Sequence, residues 1–309
     1  MHITFRQLRV FVEVAHQGSV QRAAEALHLT PPAVSMQIKE VELQVGMPLF
    51  DRTGRRLSLS TTGEYFLVYA RRLLATFKEA EDAMARFKGV ESGKLTIGMV
   101  SSAKYFLPQL LAQFHAEHPA VDVRLRLGNR EQLAALMEAN EVDLSVMGRA
   151  PREWPNRAEP FAMHPHVLVT SPHHPFAKAE AIPAAALVRE GFIVREQGSG
   201  TRAALEEFLA AHRLQPMFIM ELPSDEAIKQ VVMAGLGVSL VSLHTIGLEW
   251  RNGLIAAPSV EGLPLMRRWH LVNAVAKMLS PAAEAFRYFM LERAEAHMAA
   301  MFGTEMEQP

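Results

Sequence analysis

The chain has 309 residues and a mass of 34.4 kDa; 49% of its residues are hydrophobic and 21% charged, a globular composition long enough for two or three domains. A formal net charge of −1 excludes a uniformly basic nucleic-acid coat, so any DNA-binding surface must be one local segment. The absence of cysteine excludes disulfides, thiolate metal sites and a cysteine nucleophile; no apolar run reaches the roughly 18 residues of a membrane span, and the charged first 25 residues lack a secretory-signal core, so a cytoplasmic location is expected.

The first predicted helix is "FRQLRVFVEVAHQG", with Phe5, Leu8, Phe11, Val12 and Ala15 on one stripe and Gly18 as its stop. A second follows from Ser19, its N-cap, to Leu27, with Val20, Ala23, Ala24 and Leu27 as its apolar side. Only His28, Leu29 and Thr30 connect it to the third, and the small Ala24 permits the close crossing of a helix-turn-helix. In "LTPPAVSMQIKEVELQVG", Thr30 is expected to cap through its side chain, while Pro31 and Pro32 start the helix where their missing N–H groups cost nothing. Val34, Ile38, Val41 and Val45 form the buried stripe, Gly46 ends the helix, and Pro32, Ser35, Met36 and Lys39 face outward. Then "LFDRTGRRLSLS" reads as a hairpin anchored by Leu49 and Phe50 with a basic turn, a wing beside the third helix. On DNA, Arg52, Arg55 and Arg56 would take phosphates and the helix face would take base edges.

"GEYFLVYARRLLATFKEAEDAMARFKG" is a long helix ending at Gly89. Phe66, Ala70, Leu73, Phe77, Ala80, Met84 and Phe87 repeat at spacings of 4 and 3, a heptad seam that predicts pairing with a second copy. A two-fold axis through such a pair presents two recognition helices to two half-sites.

The first 90 residues resemble the winged helix-turn-helix and linker helix of LysR-type transcriptional regulators. The resemblance implies a DNA interface of Thr30, Pro31, Pro32, Ser35, Met36, Gln37 and Lys39 with the wing residues Arg52, Arg55 and Arg56. It also implies homodimers or homotetramers, and RNA polymerase as a further partner. Two positions depart from the family: Pro31 stands where Gln is usual and Met36 where Arg is common. Gln37 and van der Waals contact with thymine methyls are the expected substitutes.

After the glycine-rich "GVESGK", strands and helices alternate: "KLTIGMV", "KYFLPQLLAQFHAEH", "VDVRLRLG", "REQLAALMEAN" and "VDLSVMG". The plan recurs as "GFIVRE", "TRAALEEFLAAH", "MFIMEL", "SDEAIKQVVMAG" and "GVSLVSL", two α/β units with parallel sheets; "HVLVTS" and "RRWHLVNAV" are strands able to cross between them. These units resemble the periplasmic-binding-protein-like effector domain of the same family. The fold expected is therefore an α-rich winged helix-turn-helix at 1–63, a linker helix at 64–89 and an α/β effector domain at 90–309. Within the last, subdomain one covers about 90–162 and 268–309, and subdomain two about 163–267.

A ligand is expected beyond the carboxyl ends of the strands, between the units. One first strand runs into Ser101, Ser102 and Lys104; its counterpart runs into Gln197, Gly198, Ser199, Gly200, Thr201 and Arg202, hydroxyls and cations at helix starts that suit an anion. Asn129, Arg149 and His244 are secondary candidates. "SSAKYFLPQLLAQF", "REQGSGTR" and "AIKQVVMAGLGVSLVSLHTI" are similar to the LysR-type branch that controls Calvin-cycle genes, including those for RuBisCO. That similarity implies an effector such as a sugar phosphate (ribulose bisphosphate), phosphoenolpyruvate or NADPH, and no resident cofactor.

Other chemistries are weaker. His164, His166, His173 and His174, interrupted by prolines, read as exposed loop residues rather than metal ligands. Met99, Met137, Met147, Met163, Met217 and Met220 read as core filler, Glu141 and Asp143 as a poor acid–base pair, and "MAAMFGTEMEQP" as a frayed tail. No nucleophile elbow or dinucleotide fingerprint is present, so an enzyme is not expected. The alternative to a ligand-responsive transcription factor is a small-molecule binding protein without DNA function.

Overall fold

The computed structural model describes residues 2–53, 56–86 and 93–303, without the side chains of 52, 53, 56, 79, 82, 83, 85 and 86. Arg55, Phe87, Gly89, the side chains of Arg52 and Arg56, and the last six residues of the expected tail lie outside the described residues. The chain divides into two compact units, Met1–Met84 and Ala85–Pro309.

In the first unit, α1 (Phe5–Gln17) begins at a capping box between Thr4 and Gln7 and ends at Gly18, φ 57°. Ser19 caps α2 (Val20–Ala26), and His28, φ 54°, turns the chain into α3 (Pro31–Val45). Thr30 has the extended backbone of an N-cap but makes no side-chain bond to the helix. The expected cap fails because Pro32 removes one of the two N–H groups a cap engages. The stripe of α1 is also rotated from expectation: Leu8, Val10, Phe11 and Val14 are buried, whereas Phe5 is 43% exposed and packs on Phe77 with ring centroids 4.5 Å apart.

The wing is an antiparallel pair, β1 (Phe50–Thr53) and β2 (Arg56–Leu59), with Phe50 opposite Leu59. The Glu42 carboxylate of α3 accepts from the N–H groups of Leu49 (2.8 Å) and Phe50 (3.2 Å), fixing wing to helix. Next, α4 (Thr61–Arg86) passes so close to the hairpin at Gly63 that a Cβ there would stand 2.0 Å from the Leu49 carbonyl oxygen. That approach puts Phe66 edge-on to Phe11 at 5.1 Å and buries Ala70 in the same core. The expected boundary at 63/64 thus falls inside a helix whose first turns belong to the winged core.

In the second unit the elements are β3 (Gly93–Met99), α5 (Leu107–Glu117), β4 (Val121–Leu127), α6 (Arg130–Glu138), β5 (Leu144–Met147), β6 (Asn156–Val169), β7 (Gly191–Arg195), α7 (Gly200–Ala211), β8 (Met217–Leu222), α8 (Asp225–Met233), β9 (Ser239–Ser242), α9 (Gly247–Arg251), β10 (Leu265–Ala274) and α10 (Pro281–Phe302). A six-stranded sheet has the order β4-β3-β5-β10-β6-β9, with β3 parallel to β4 and β5. The parallel pair β7-β8 begins a second sheet, joined toward β9 through Phe192 and Val238. The long strands β6 and β10 pair antiparallel from Asn156–Ala274 to His166–Leu265 and connect the two halves. Hence the expected subdomain boundaries at 162/163 and 267/268 lie within β6 and β10. One core gathers Phe106, Phe114, Trp269 and Phe286; another gathers Leu187, Phe192, Ala204 and Phe208.

Two further expectations are corrected, those for Met217 and Met220 and for the C-terminal segment, and Asp143 takes a structural role. Met217 and Met220 lie exposed on β8 rather than in the core, while Met99, Met137 and Met147 are buried as expected. Asp143 is a buried structural anchor, accepting from Thr96 N–H at 2.7 Å and paired with Lys277 at 2.9 Å. Residues 298–302 are the last turn of α10, with Met298 and Phe302 buried, and not a frayed tail. Among the described residues no helix is long and apolar enough to cross a membrane.

Candidate functional site

The first candidate surface is the outer face of α3. Thr30, Pro31, Pro32, Ser35, Met36 and Lys39 are all exposed, Met36 by 59%, because Val34, Ile38 and Val41 claim the inner stripe. Gln37 is half-buried at the edge, with its Oε1 enclosed and unpartnered. Helix and hairpin together offer small and apolar contact groups beside a wing whose strands carry Arg52 and Arg56.

The seam expected on α4 does not coincide with that helix's exposed apolar face. Phe66 and Ala70 are spent on the winged core; the exposed apolar side chains are Tyr65, Val68, Tyr69, Leu73, Phe77 and Met84, with Ala80 exposed beside them. Helical period was read correctly, but an ordinary core contact uses the same period as a coiled-coil seam.

The second candidate site is a cleft of about 440 Å³ between the two halves of the α/β unit. Of the expected residues, Ser101, Ser102, Asn129, Arg149, Ser199, Gly200 and Thr201 line it. Ser101 follows β3, Asn129 caps α6 by accepting from Gln132 N–H at 2.9 Å, and Ser199 precedes α7 without a side-chain capping bond. Five expected residues, Gly198 among them, are elsewhere. Lys104 is drawn out to Glu226, 2.5 Å away. Gln197 and Arg202 border a separate groove between α6 and α7; Arg202 is buried, donating to the Arg195 carbonyl at 3.1 Å and lying 4.6 Å over the Phe218 ring. His244 is buried in the core, its Nδ1 accepting from Trp269 Nε1 at 3.1 Å.

The cleft also contains Arg130, Arg195, Arg267, His164 and His166, which were not expected there. Arg195 Nη1 donates to Asp225 Oδ1 (2.7 Å) and Ser101 Oγ (3.0 Å), and Ser101 Oγ donates to Asp225 Oδ2 (2.9 Å). This triangle ties the two halves together at the inner end of the cleft. Burial alone lowers the Arg195 guanidinium, but Asp225 and Glu196 outweigh it and hold the group above its ordinary value. Arg149 and Arg267 share the Glu207 carboxylate. In the separate groove, a Cβ on Gly198, φ 80°, would stand 2.5 Å from Glu131 Oε2, so this left-handed glycine lets the loop close on α6.

His164 and His166 are not exposed loop residues; both are buried, on one face of β6 as a spacing of two requires. Desolvation, then the neighbouring His166, keeps His164 well below the ordinary imidazole range; desolvation holds His166 at about 3 and His244 at about 4. All three are neutral at pH 7. The alternation "HPH" was the signal available in sequence. Among the described residues no group of three or more His, Cys, Asp or Glu side chains could hold a metal.

Among known families, residues 5–64 match the model described as "Bacterial regulatory helix-turn-helix protein, lysR family", and residues 88–295 match "LysR substrate binding domain". The chain is 48% identical over 303 residues to the HTH-type transcriptional regulator CfxR of Cupriavidus necator, covering 98% of this chain and 94% of that one. It is 43% identical over 294 residues to the RuBisCO operon transcriptional regulator of Allochromatium vinosum, covering 95% and 97% respectively. The solved regulatory domain of Synechocystis CcmR in complex with 2-PG superposes with a TM-score of 0.63 at 33% identity, covering 69% of this chain and 99% of that one.

Proposed function

Because this chain belongs to the LysR family of bacterial transcriptional regulators, we propose that it controls carbon-fixation genes, including a RuBisCO operon, as a homodimer or homotetramer answering to a small phosphorylated anion. The names of its relatives support the target, and their regulatory roles leave no place for an enzyme reading. The alternative of a binding protein without DNA function is set aside by the helix-turn-helix match.

In this reading the outer face of α3 enters the major groove and the wing arginines hold phosphates. With Pro31 and Met36 replacing polar readers, base recognition rests on apolar contact with thymine methyls and on Ser35, Gln37 and Lys39. The exposed side of α4 from Tyr65 to Met84 pairs with a second copy.

The observation that carries the effector reading is the cleft lining: among the described residues it holds four arginines, three serines and a threonine but no carboxylate. Such a lining favours phosphate and carboxylate oxygens. Compact anions that carry such oxygens include a sugar phosphate and phosphoenolpyruvate, and NADPH is a larger one. The 2-phosphoglycolate of the CcmR complex is a further compact candidate. Regulation then requires the anion to bind two arrangements of the protein with different affinity.

The test is a footprint of the full chain on the promoter of the RuBisCO operon, together with a thermal shift against phosphorylated acids and sugars. Protection of that promoter and stabilisation by about 2.7 kcal/mol at a hundredfold excess over Kd are expected. Absence of promoter protection refutes the gene target, and absence of any shift refutes the anionic effector.

A further inference from the structure

Beside its arginines and hydroxyls the cleft lining carries two imidazoles. His164 is 3% exposed, forms part of the cleft wall, and has neither ring nitrogen bonded to any protein group. Its ring is clamped face to face on Trp269, centroids 3.7 Å apart and planes inclined by 17°. The indole is itself fixed by its bond to His244, so the imidazole has little freedom to seek a partner. His166 places Nδ1 3.3 Å from the His164 carbonyl, which can only accept; Nδ1 therefore carries the proton and Nε2 is left as an acceptor.

A buried imidazole with both nitrogens idle forfeits hydrogen bonds that water would supply, so a native protein keeps such a group where something else completes it. A neutral imidazole has one N–H and one lone pair. A phosphate or carboxylate oxygen satisfies only the first. A hydroxyl satisfies either, because its one oxygen both donates and accepts. Gly148 lines the cleft close beside this ring, and a Cβ there would lie 2.6 Å from His164 Nδ1.

Resting on the anion-binding reading above, we propose that His164 is a specificity-determining residue that reads a hydroxyl on the effector, so that the preferred ligand is a hydroxylated phosphorylated compound. The arginines and Ser/Thr hydroxyls hold the anionic end. Neutral His164, with His166 beside it, supplies the acceptor that a hydroxyl needs and a purely anionic ligand leaves unused. A ligand without the hydroxyl strands a buried polar group and binds more weakly by about 10- to 100-fold.

The experiment uses the full chain and two pairs of probes that differ by one hydroxyl: 3-phosphoglycerate against 3-phosphonooxypropionate, and 2-phosphoglycerate against 2-phospholactate. Isothermal titration should show the hydroxylated member of at least one pair binding about 10- to 100-fold more tightly. His164→Phe keeps the stack on Trp269 and deletes both nitrogens; it should erase that preference, the hydroxylated probe losing about 10- to 100-fold and the deoxy probe far less. Gly148→Ala, which fills the space beside Nδ1, should erase the preference independently, so the idea stays testable if one variant fails to fold. Equal wild-type affinity within both pairs, or an equal fall for both members of a pair in the variants, overturns the role of His164 alone. Binding of none of the four probes overturns the anion-binding reading and this inference with it.

Discussion

Replacing Arg195 by methionine removes the cation from the most enclosed ion pair of the cleft. Asp225 is fully buried, and its two oxygens are held by Arg195 at 2.7 Å and by the Ser101 hydroxyl at 2.9 Å. The variant leaves that carboxylate with the hydroxyl and whatever the first turn of α8 offers, and an uncompensated buried charge of this kind costs about 3–5 kcal/mol. For a unit of this size 1 kcal/mol moves Tm by about 2–4 °C, so a fall of roughly 6–20 °C is expected in calorimetry at pH 7. The double variant Arg195→Met with Asp225→Asn removes the charge as well and should recover at least half of the loss, because a neutral amide needs no counter-ion. Since Ser101 belongs to one side of the cleft and Arg195 with Asp225 to the other, effector affinity should fall in the single variant too. A Tm change below about 2 °C for Arg195→Met, or a double variant no better than the single one, would show that the pair contributes little and that other contacts close the cleft.

Introducing Ser35→Glu and Met36→Glu together places two like charges against the DNA backbone without touching the core, so promoter affinity should fall by at least about 100-fold in gel shift with Tm unchanged; unaltered binding would move the interface away from α3. Burial holds His166 at about 3 and His244 at about 4, so both take up protons on unfolding below the ordinary value of about 6.5. The stability they permit at pH 7 is therefore lost as the pH falls, by about 2 kcal/mol each at pH 5, with His164 adding in the same direction; a Tm independent of pH between about 7 and 5 would contradict their burial. Leu73→Asp, at a position 52% exposed on α4, should shift sedimentation toward monomer, and an unchanged oligomer would place the pairing surface elsewhere.

The order of elements was legible because short-range rules set it. Prolines at the start of α3, glycines at 18 and 46 in left-handed conformation, and the period-two strands of the wing all act within a few residues. Position on a face was less legible, because the same period serves different neighbours. Phe66 and Ala70 obey the heptad spacing of α4, yet Gly63 brings that helix onto the hairpin and gives them to Phe11 instead. Phe5 fits the α1 stripe equally well and ends outside it, against Phe77.

The cleft was half legible for a related reason. Loops that open directly from strand ends into helices bring Ser101, Asn129, Ser199 and Thr201 to the cleft lining, since the topology of parallel units leaves such loops no other place. His164 and His166 were misread because Pro160 and Pro165 argue against a strand. The pairing shows where β6 keeps the prolines: β9 joins only residues 166–169, so Pro160 and Pro165 lie in the stretch of β6 that pairs with β10 and not with β9. Arg195 was missed for the opposite reason. It ends a strand whose neighbours look like any buried run, and what makes it part of the site is Asp225, thirty residues on, meeting it at the head of α8. A residue's place in the cleft is thus decided by which partner neutralises it: Arg195 stays because Asp225 and Ser101 converge there, and Lys104 is held outside the lining by Glu226.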